Sequence, residues 1–218
     1  MQRRTKRLRR HADDALRLPR KIVLASGNVG KLREIMRLLS DLDAQIVPQS
    51  EFGVSAAGET GTSFAENALI KARHAAAVAG LPAIADDSGL VVAALNGRPG
   101  VYSARYSGPD ATDDSNIGKL LAEMRDLPDA SRGAAFQCAA CFAMPDDPEP
   151  LIAEGQWRGR ILKERRGDRG FGYDPVFFDP ESGKSAAELS AAGKNARSHR
   201  GKAFAALALL LRARFDGG

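Results

Sequence analysis

A turn that combines small, polar and basic residues follows the first apolar segment of the chain. Residues 22–32 read IVLASGNVGKL, an apolar run that leads into the turn and then into an amphipathic pattern. The turn offers four residues that suit phosphate binding: Ser26, Gly27, Asn28 and Lys31. A helix start of this kind presents backbone donors to a phosphate group, and the lysine adds positive charge. The same residues also fit an ordinary turn that opens a surface helix.

This turn is not a P-loop, the phosphate-binding motif of many kinases and ATPases. A P-loop requires glycine at the position of Ala25 and serine or threonine at the position of Leu32. Without a hydroxyl after Lys31, the usual side chain for a bound magnesium ion is missing. A phosphate held here therefore needs metal ligands from another part of the chain.

Two adjacent carboxylates, Asp86 and Asp87, come at the end of the apolar segment PAIA and are followed by Ser88 and Gly89. Strand ends are where α/β sheets bind their ligands. Adjacent carboxylates suit a hard cation such as Mg²⁺, and one of them could accept a proton from water. The alternative is a turn in which the aspartates accept hydrogen bonds from nearby backbone groups.

A predicted helix over 64–79 carries further polar candidates. Ser63 and Glu66 have the spacing of a capping box, which marks where the helix begins. Asn67 and Lys71 are four residues apart and therefore share one face of the helix. Lys71 is either a phosphate ligand or an ordinary solvated side chain.

The last predicted helix, over 199–214, opens with His199 and Arg200. Positive charge in a first turn opposes the helix dipole, so this pair needs a carboxylate or a ligand nearby. Upstream, the segment FGYDP combines the aromatic ring of Phe171 with an acceptor, Asp174. An aromatic face with convergent polar groups could bind a nucleotide base.

Alternating strands and helices in the first half of the chain, and clustered strands in the second half, predict an α/β fold with a mixed sheet. The predicted segments are strands at 21–26 and 44–49, helices at 30–40 and 64–79, a strand ending at 86–89, a helix at 113–126, antiparallel strands at 134–144, 151–157 and 159–163, and the final helix. We expect an elongated sheet flanked by helices, with two lobes and a central cleft.

The positive charge of the chain belongs to its first residues. The 218-residue chain has a net charge of +5, whereas residues 1–20 hold eight Lys/Arg and two Asp, or +6, which leaves −1 for residues 21–218. We therefore expect a basic N-terminal extension over 1–20 and one globular domain over 21–218. The extension is either a disordered segment or a contact for an anionic surface such as nucleic acid.

The composition and the cysteines indicate a cytoplasmic protein with no membrane segment. The chain is 44% hydrophobic and 27% charged, and it lacks an apolar run near the ~20 residues of a membrane helix. Cys138 and Cys141 form a C-x-x-C motif, but a zinc site would need a second pair of ligands at similar spacing. We predict two buried thiols in a reducing compartment.

Six motifs occur in order along the chain: SGNVGK, ETGTSFAENALIKA, ADDSGL, GRPGVYSARYSG, FGYDPVFF and SHRGKA. Together they resemble the noncanonical purine nucleoside triphosphate pyrophosphatases, the inosine/xanthosine triphosphate pyrophosphatase family, over about Lys21 to Leu211. The resemblance implies hydrolysis of ITP, dITP and XTP to the monophosphate and pyrophosphate. It also implies Mg²⁺ as cofactor and a cytoplasmic homodimer that cleanses the nucleotide pool.

The resemblance further implies which residues form the site. The substrate's phosphates would be held by the turn that contains Ser26, Gly27, Asn28 and Lys31, with Val29 and Gly30 inside it. Lys71 would add positive charge near the phosphates, and Ser88 would contact the substrate. The base pocket would be lined by Phe171, Gly172, Tyr173, Asp174, Lys194, His199 and Arg200. Asp87 is the expected general base and metal ligand, with Asp86 beside it and Glu59 as a further metal ligand. Gly58 departs from the family pattern, because some relatives carry an acidic residue there.

Two other functions fit parts of the sequence. A related pyrophosphatase that acts on modified pyrimidine nucleotides would share the phosphate chemistry and differ in the base pocket. A nucleic-acid-binding protein would use the basic extension and would bind with a steep dependence on salt concentration. Since residues 21–218 are nearly neutral, we expect a nucleotide substrate and not nucleic acid as the main partner.

Overall fold

The computed structural model describes residues 17–215, and its centre is a seven-stranded mixed sheet. The strands are β1 (Lys21–Ala25), β2 (Gln45–Pro48), β3 (Ala83–Val92), β4 (Gly133–Ala143), β5 (Leu151–Ile161), β6 (Phe177–Asp179) and β7 (Lys184–Ser185). Their order across the sheet is β2-β1-β3-β4-β5-β6-β7. β1 is parallel to both of its neighbours, and every other pair is antiparallel. The predicted α/β fold with a mixed sheet is confirmed.

Five α-helices accompany the strands within the described residues. They are α1 (Val29–Leu38), α2 (Phe64–Ala79), α3 (Asp113–Glu123), α4 (Ala191–Arg197) and α5 (His199–Phe215). The helix predicted over 64–79 is confirmed residue for residue. Its capping box is formed in both directions between Ser63 and Glu66, and Gly80 ends it in the left-handed conformation at φ 63°.

Two strand predictions were wrong. β3 does not end at 86–89 but continues to Val92, because β4 pairs with all ten of its residues. In place of the predicted strands at 151–157 and 159–163 there is the single strand β5, which ends at Ile161. Gly159 does not interrupt this strand, and a Cβ atom there would lie 2.3 Å from the carbonyl oxygen of Phe178 on the neighbouring strand.

The two faces of the sheet are covered by different helices. The alanine-rich face of α2 packs on one side, where Ala85 is buried in the same cluster. On the other side α1 and α5 pack around Ile84, with Phe204 and Leu207 fully buried. A third cluster, which includes Leu90 and residues of α3, covers the distal half of the long strands. Alternate side chains of β3 therefore enter different cores, as strand geometry requires.

Several smaller predictions can be compared with the structure. Cys138 and Cys141 are free and buried, and they belong to clusters on opposite faces of the sheet. The periodicity of the last helix also predicts that Leu210 faces inward, but its side chain is 39% exposed. No helix among residues 17–215 could cross a membrane. Most of the predicted basic extension, residues 1–16, lies outside the described part of the chain.

Gly89 on β3 leaves room for a short 3-10 helix at Gly100–Arg105. A Cβ atom at Gly89 would lie 2.4 Å from Oγ of Ser103 and 2.5 Å from the carbonyl oxygen of Gly100. We expect Gly89→Ala to lower the free energy of unfolding by about 1–3 kcal/mol, because the backbone must move apart. The matched control is Gly118→Ala in α3, where the added methyl meets open space. That change should stabilise the protein by about 0.5–1 kcal/mol, and urea titration of both variants measures the contrast.

Candidate active site

Two cavities meet beside β3. The polar cavity, of about 220 Å³, is lined by residues of the 26–31 turn and by Glu59, Lys71, Asp86 and Asp87. The aromatic cavity, of about 100 Å³, is lined by Phe136 and by all seven predicted base-pocket residues: Phe171, Gly172, Tyr173, Asp174, Lys194, His199 and Arg200. Asn28, Lys31 and Ser88 line both cavities and mark the junction.

The cavities form because β1 is much shorter than β3. β1 ends at Ala25, which pairs with Ala85, so the next residues of β3 have no strand beside them on that edge. Asp86, Asp87 and Ser88 lie at this open edge, where the parallel strands end. These residues therefore lie at an open edge of the sheet, although β3 itself continues beyond them. That a ligand binds there stays a prediction.

The 26–31 turn opens α1 with its own cap. Asn28 is the N-cap, and its side-chain oxygen accepts a hydrogen bond from the backbone N–H of Lys31 at 2.9 Å. Of the predicted phosphate-binding residues, Val29 and Gly30 line neither cavity. Gly30 instead lies under the ring of Phe171, where a Cβ atom would be 2.7 Å from Cδ1. The glycine thus lets the turn approach the aromatic cavity.

Asp86 is a fully buried carboxylate held by two cations. Its Oδ2 lies 3.0 Å from Nζ of Lys31 and 3.4 Å from Nε of Arg200, and it accepts a hydrogen bond from the Ser88 hydroxyl at 3.1 Å. Burial alone would raise the pKa of Asp86, but the charges of Lys31 and Arg200 outweigh burial and hold it well below the usual value. Asp86 is therefore ionised. It lines the polar cavity and pairs with Arg200, which lines the aromatic cavity.

Asp87 points to the opposite face of the sheet and has different partners. Its Oδ1 lies 2.8 Å from Nζ of Lys71, and its Oδ2 accepts a hydrogen bond from Asn67 at 3.3 Å. Burial raises the pKa of Asp87 above its usual value despite the opposing charge of Lys71. A carboxylate with a raised pKa is a stronger base than an exposed aspartate, which suits the acceptance of a proton.

Lys71 connects Asp87 to the loop before α2. Its ammonium group also lies 3.2 Å from Oε1 of Glu59, whose other oxygen pairs with Arg105 at 2.9 Å. Burial lowers the pKa of Lys71, but the neighbouring carboxylates outweigh burial and raise it. The lysine stays charged in a cavity where a phosphate could replace one of its carboxylate partners.

Asn67 also contacts the loop before α2. The buried side chain accepts a hydrogen bond from the N–H of Gly61 at 2.8 Å while it donates to Asp87. A Cβ atom at Gly61 would lie 2.8 Å from the Asn67 oxygen, so a glycine is needed for this approach. Asn67 therefore ties the position of Asp87 to the loop that carries Glu59.

A network of buried charged side chains lies beside the ring of Phe171 in the aromatic cavity. Nζ of Lys194 lies 2.6 Å from Asp174 and 2.7 Å from Glu34, and the other oxygen of Glu34 lies 2.5 Å from Arg200. Burial raises the pKa of Asp174, against the opposing charge of Lys194. Both cations also lie over the ring of Phe171, at 4.8 Å for Lys194 and 5.7 Å for Arg200. These contacts fix the ring as one wall of the cavity.

His199 and Arg200 open α5 in different charge states. Arg200 has the carboxylate partners that its position at a helix start requires, Asp86 and Glu34. His199 is buried and stacks on Phe136 at 4.7 Å between ring centroids. Burial first, and then the charge of Arg200, lower the pKa of His199 well below its usual value. A neutral imidazole therefore lines the cavity, and its buried Nδ1 has no hydrogen-bond partner within residues 17–215.

Glu34 and Arg105 are among the residues of the site that sequence reasoning missed. Glu34 lies on α1 three residues after Lys31, a spacing that places both on one helix face and could have been noticed. Arg105 approaches Glu59 from a 3-10 helix 46 residues away, and no local pattern predicts such a contact.

The predicted metal ligands do not form a preassembled cluster. Among residues 17–215, no three His, Cys, Asp or Glu side chains come together as metal ligands usually do. The partners of Asp86 and Asp87 lie on opposite faces of the sheet, α5 for the former and α2 for the latter. Glu59 and Asp87 are bridged by the ammonium group of Lys71. The metal role of these residues stays a prediction.

Known sequences and structures resemble this chain over most of its length. Residues 22–209 match the sequence model of the Ham1 family. A dITP/XTP pyrophosphatase of Escherichia coli (strain K12) is 56% identical over 198 residues, which are 90% of this chain and 99% of that protein. One of Halorhodospira halophila is 56% identical over 188 residues, covering 86% of this chain and 94% of that protein.

Two solved structures show the same architecture. A HAM1 protein from Coxiella burnetii has a TM-score of 0.81 and 51% identity, over 88% of this chain and 98% of that chain. A nucleoside-triphosphatase / dITP/XTP pyrophosphatase from Mycobacterium abscessus has a TM-score of 0.70 and 46% identity, over 86% and 98%. The sequence motifs and the fold agree with these similarities, and the chain belongs to the Ham1 family.

Proposed function

We propose that this protein hydrolyses purine nucleoside triphosphates with a 6-keto base, dITP, ITP and XTP, to the monophosphate and pyrophosphate. The observation that carries the proposal is the junction of two unlike cavities at Lys31 and Ser88. An aromatic cavity suits a base, and a cavity with two lysines suits phosphates. The names of the dITP/XTP pyrophosphatases at 56% identity support the same activity.

The bond to be broken lies beside Asp87 in this arrangement. A nucleotide with its base beside Phe171 places the α-phosphate near the junction and the other phosphates farther into the polar cavity. Asp87 takes the proton of the attacking water, and Lys31 and Lys71 stabilise the negative charge that develops on the phosphate oxygens. Asn67 keeps the Asp87 carboxylate in position for this proton transfer.

We propose Mg²⁺ as the cofactor, with Asp87 and Glu59 as its ligands. The ionisable residues of the polar cavity include two lysines, Lys31 and Lys71, against the carboxylates Glu59, Asp86 and Asp87. This lining cannot by itself neutralise a triphosphate, and carboxylate oxygens are the ligands that Mg²⁺ prefers. When bound, the ion would supply positive charge to the phosphate oxygens. Asp86 is a further candidate ligand through its Oδ1, because Lys31 and Arg200 hold only Oδ2, whereas Oδ1 is buried and has no hydrogen-bond partner within residues 17–215.

The cations and the histidine of the aromatic cavity suit a keto group on the base. Lys194 and Arg200 carry only donors, and His199 has an unpartnered buried nitrogen that can bond to the base. A 6-keto oxygen accepts from such donors, whereas the 6-amino group of adenine would face donor against donor. The mismatch costs about 1–3 kcal/mol for each buried group left unsatisfied. We therefore expect ATP to be a poor substrate.

The substrate class is tested by measuring pyrophosphate release from ITP, XTP, GTP, ATP and modified pyrimidine triphosphates, with Mg²⁺ and with EDTA. We expect kcat/KM for ITP and XTP to exceed that for ATP by at least about 10-fold, and EDTA to stop the reaction. A preference for the pyrimidine substrates would support the related pyrophosphatase, and full activity in EDTA would refute the role of Mg²⁺.

The homodimer and the cytoplasmic location are proposals that rest on the family resemblance. Two free buried thiols fit a reducing compartment. Light scattering at micromolar concentration should give twice the mass of the 23.2 kDa chain. A single-chain mass at that concentration would refute the dimer.

A further inference from the structure

Gln49 is a polar side chain at the outer end of the polar cavity for which the mechanism has no use. Gln49 follows the last residue of β2, lines the cavity, and lies outside the lining of the aromatic cavity. Its main-chain oxygen accepts from the N–H of Val54 at 3.3 Å, so its backbone is fixed. Its side-chain amide forms no hydrogen bond within residues 17–215. The side chain is half-buried, so its amide can exchange water for a ligand at this end of the cavity.

The other residues at this end offer less to a ligand. Ala56 and Ala57 form an apolar wall. His74 lines the cavity too, but its Nε2 lies 3.1 Å from the carbonyl oxygen of Ser55. This nitrogen must carry the hydrogen and is committed to the loop. The Gln49 amide is therefore the uncommitted side-chain donor between this wall and the lysines.

The order of the strands places Gln49 farthest from the base. The aromatic cavity is built from β4, from the segment before β6 and from the start of α5, whereas Gln49 lies beyond β1 at the outermost strand. β3 and β2 are two strand spacings apart, roughly 10 Å. A triphosphate whose α-phosphorus lies beside Asp87 extends along this direction, so its last phosphate group comes nearest to Gln49.

We infer that Gln49 binds the terminal phosphate of the substrate and thereby makes the enzyme select triphosphates over diphosphates. The inference rests on the proposed function and names a selectivity residue for it. The amide N–H₂ donates to a charged phosphate oxygen, which is the stronger kind of hydrogen bond. A diphosphate would not reach this donor, and the monophosphate product would not touch it. Gln49 therefore acts on the leaving pyrophosphate and not on the base.

The test compares wild type, Gln49→Ala and Gln45→Ala with ITP, IDP, pyrophosphate and IMP. Gln45 is the matched control, because it is an exposed glutamine at the other end of the same strand, outside the polar cavity. We expect Gln49→Ala to lower kcat/KM for ITP by about 10-fold or more, the loss of one hydrogen bond to a charged group. The ratio of kcat/KM for ITP to that for IDP should fall by the same factor. Inhibition by pyrophosphate should weaken likewise, while inhibition by IMP stays unchanged.

Each outcome separates the inference from the proposed function. If wild type releases no pyrophosphate from ITP, the proposed function fails and the inference fails with it. If wild type is active but Gln49→Ala has the same kcat/KM values and the same inhibition by pyrophosphate as Gln45→Ala, the inference alone is overturned. If inhibition by IMP and inhibition by pyrophosphate weaken equally in Gln49→Ala, the inference is also overturned, because that pattern indicates a general distortion of the site. Gln49→Glu, which keeps the shape and places negative charge at the site, should weaken pyrophosphate inhibition further than Gln49→Ala.

Discussion

Replacing Asp87 by asparagine should abolish pyrophosphate release from ITP while the protein stays folded. Asparagine keeps the shape and can still pair with Asn67, but it cannot accept a proton and does not attract Lys71 as a charge. General-base catalysis contributes typically about 10²–10⁴-fold, so kcat should fall by at least about 100-fold. The measurement is pyrophosphate release from ITP, with circular dichroism to verify the fold.

The control for this change is Asp43→Asn, which alters an exposed aspartate outside both cavities. It should keep the wild-type rate. A folded Asp87→Asn variant with a rate near that of wild type would refute the role of Asp87 as base. A normal rate at saturating substrate combined with a raised KM would instead assign Asp87 to ground-state binding.

Replacing Arg200 by methionine should cause the largest loss of stability of any change in the site. Arg200 is 2% exposed and pairs with Asp86 and Glu34, which are themselves buried or half-buried. Removing one member of such a network leaves carboxylates only partly compensated, which typically costs about 3–5 kcal/mol. Urea unfolding should show this loss at pH 7. The variant should also lose activity, because Arg200 forms part of the wall beside Phe171.

An exposed ion pair provides the contrast for Arg200. Arg165 pairs with Asp114 on the surface, and its side chain is 45% exposed. Arg165→Met should change the free energy of unfolding by less than about 1 kcal/mol. Equal losses for the two variants would mean that the buried network of Arg200 contributes no more to stability than a surface pair, and would contradict the prediction.

The elements of the fold could be predicted where local signals were strong. The helix over 64–79 has a capping box at one end and a glycine at the other, and both work as expected. The length of β3 could not be predicted, because its polar centre resembles a turn. Its continuation is imposed by β4, a partner that lies about fifty residues later in the chain.

In the site, too, residues within local motifs could be predicted, whereas contacts between distant segments could not. The motifs identified many of the residues that line the cavities, from Ser26 to Arg200, but Val29 and Gly30 line neither cavity. They did not reveal that the side chains of Asp86 and Asp87 point to opposite faces of the sheet, because that follows from strand geometry only when β3 is continuous. The pairing of Glu59 with Arg105 joins two loops and depends wholly on the folded structure.

The position of the bond that breaks is the central claim, and isotope labelling tests it directly. Hydrolysis of ITP in H₂¹⁸O should place one labelled oxygen in IMP and none in pyrophosphate, because water attacks the α-phosphorus beside Asp87. Mass spectrometry of the two products measures the label. Label in pyrophosphate, or release of orthophosphate and IDP, would contradict attack at the α-phosphorus.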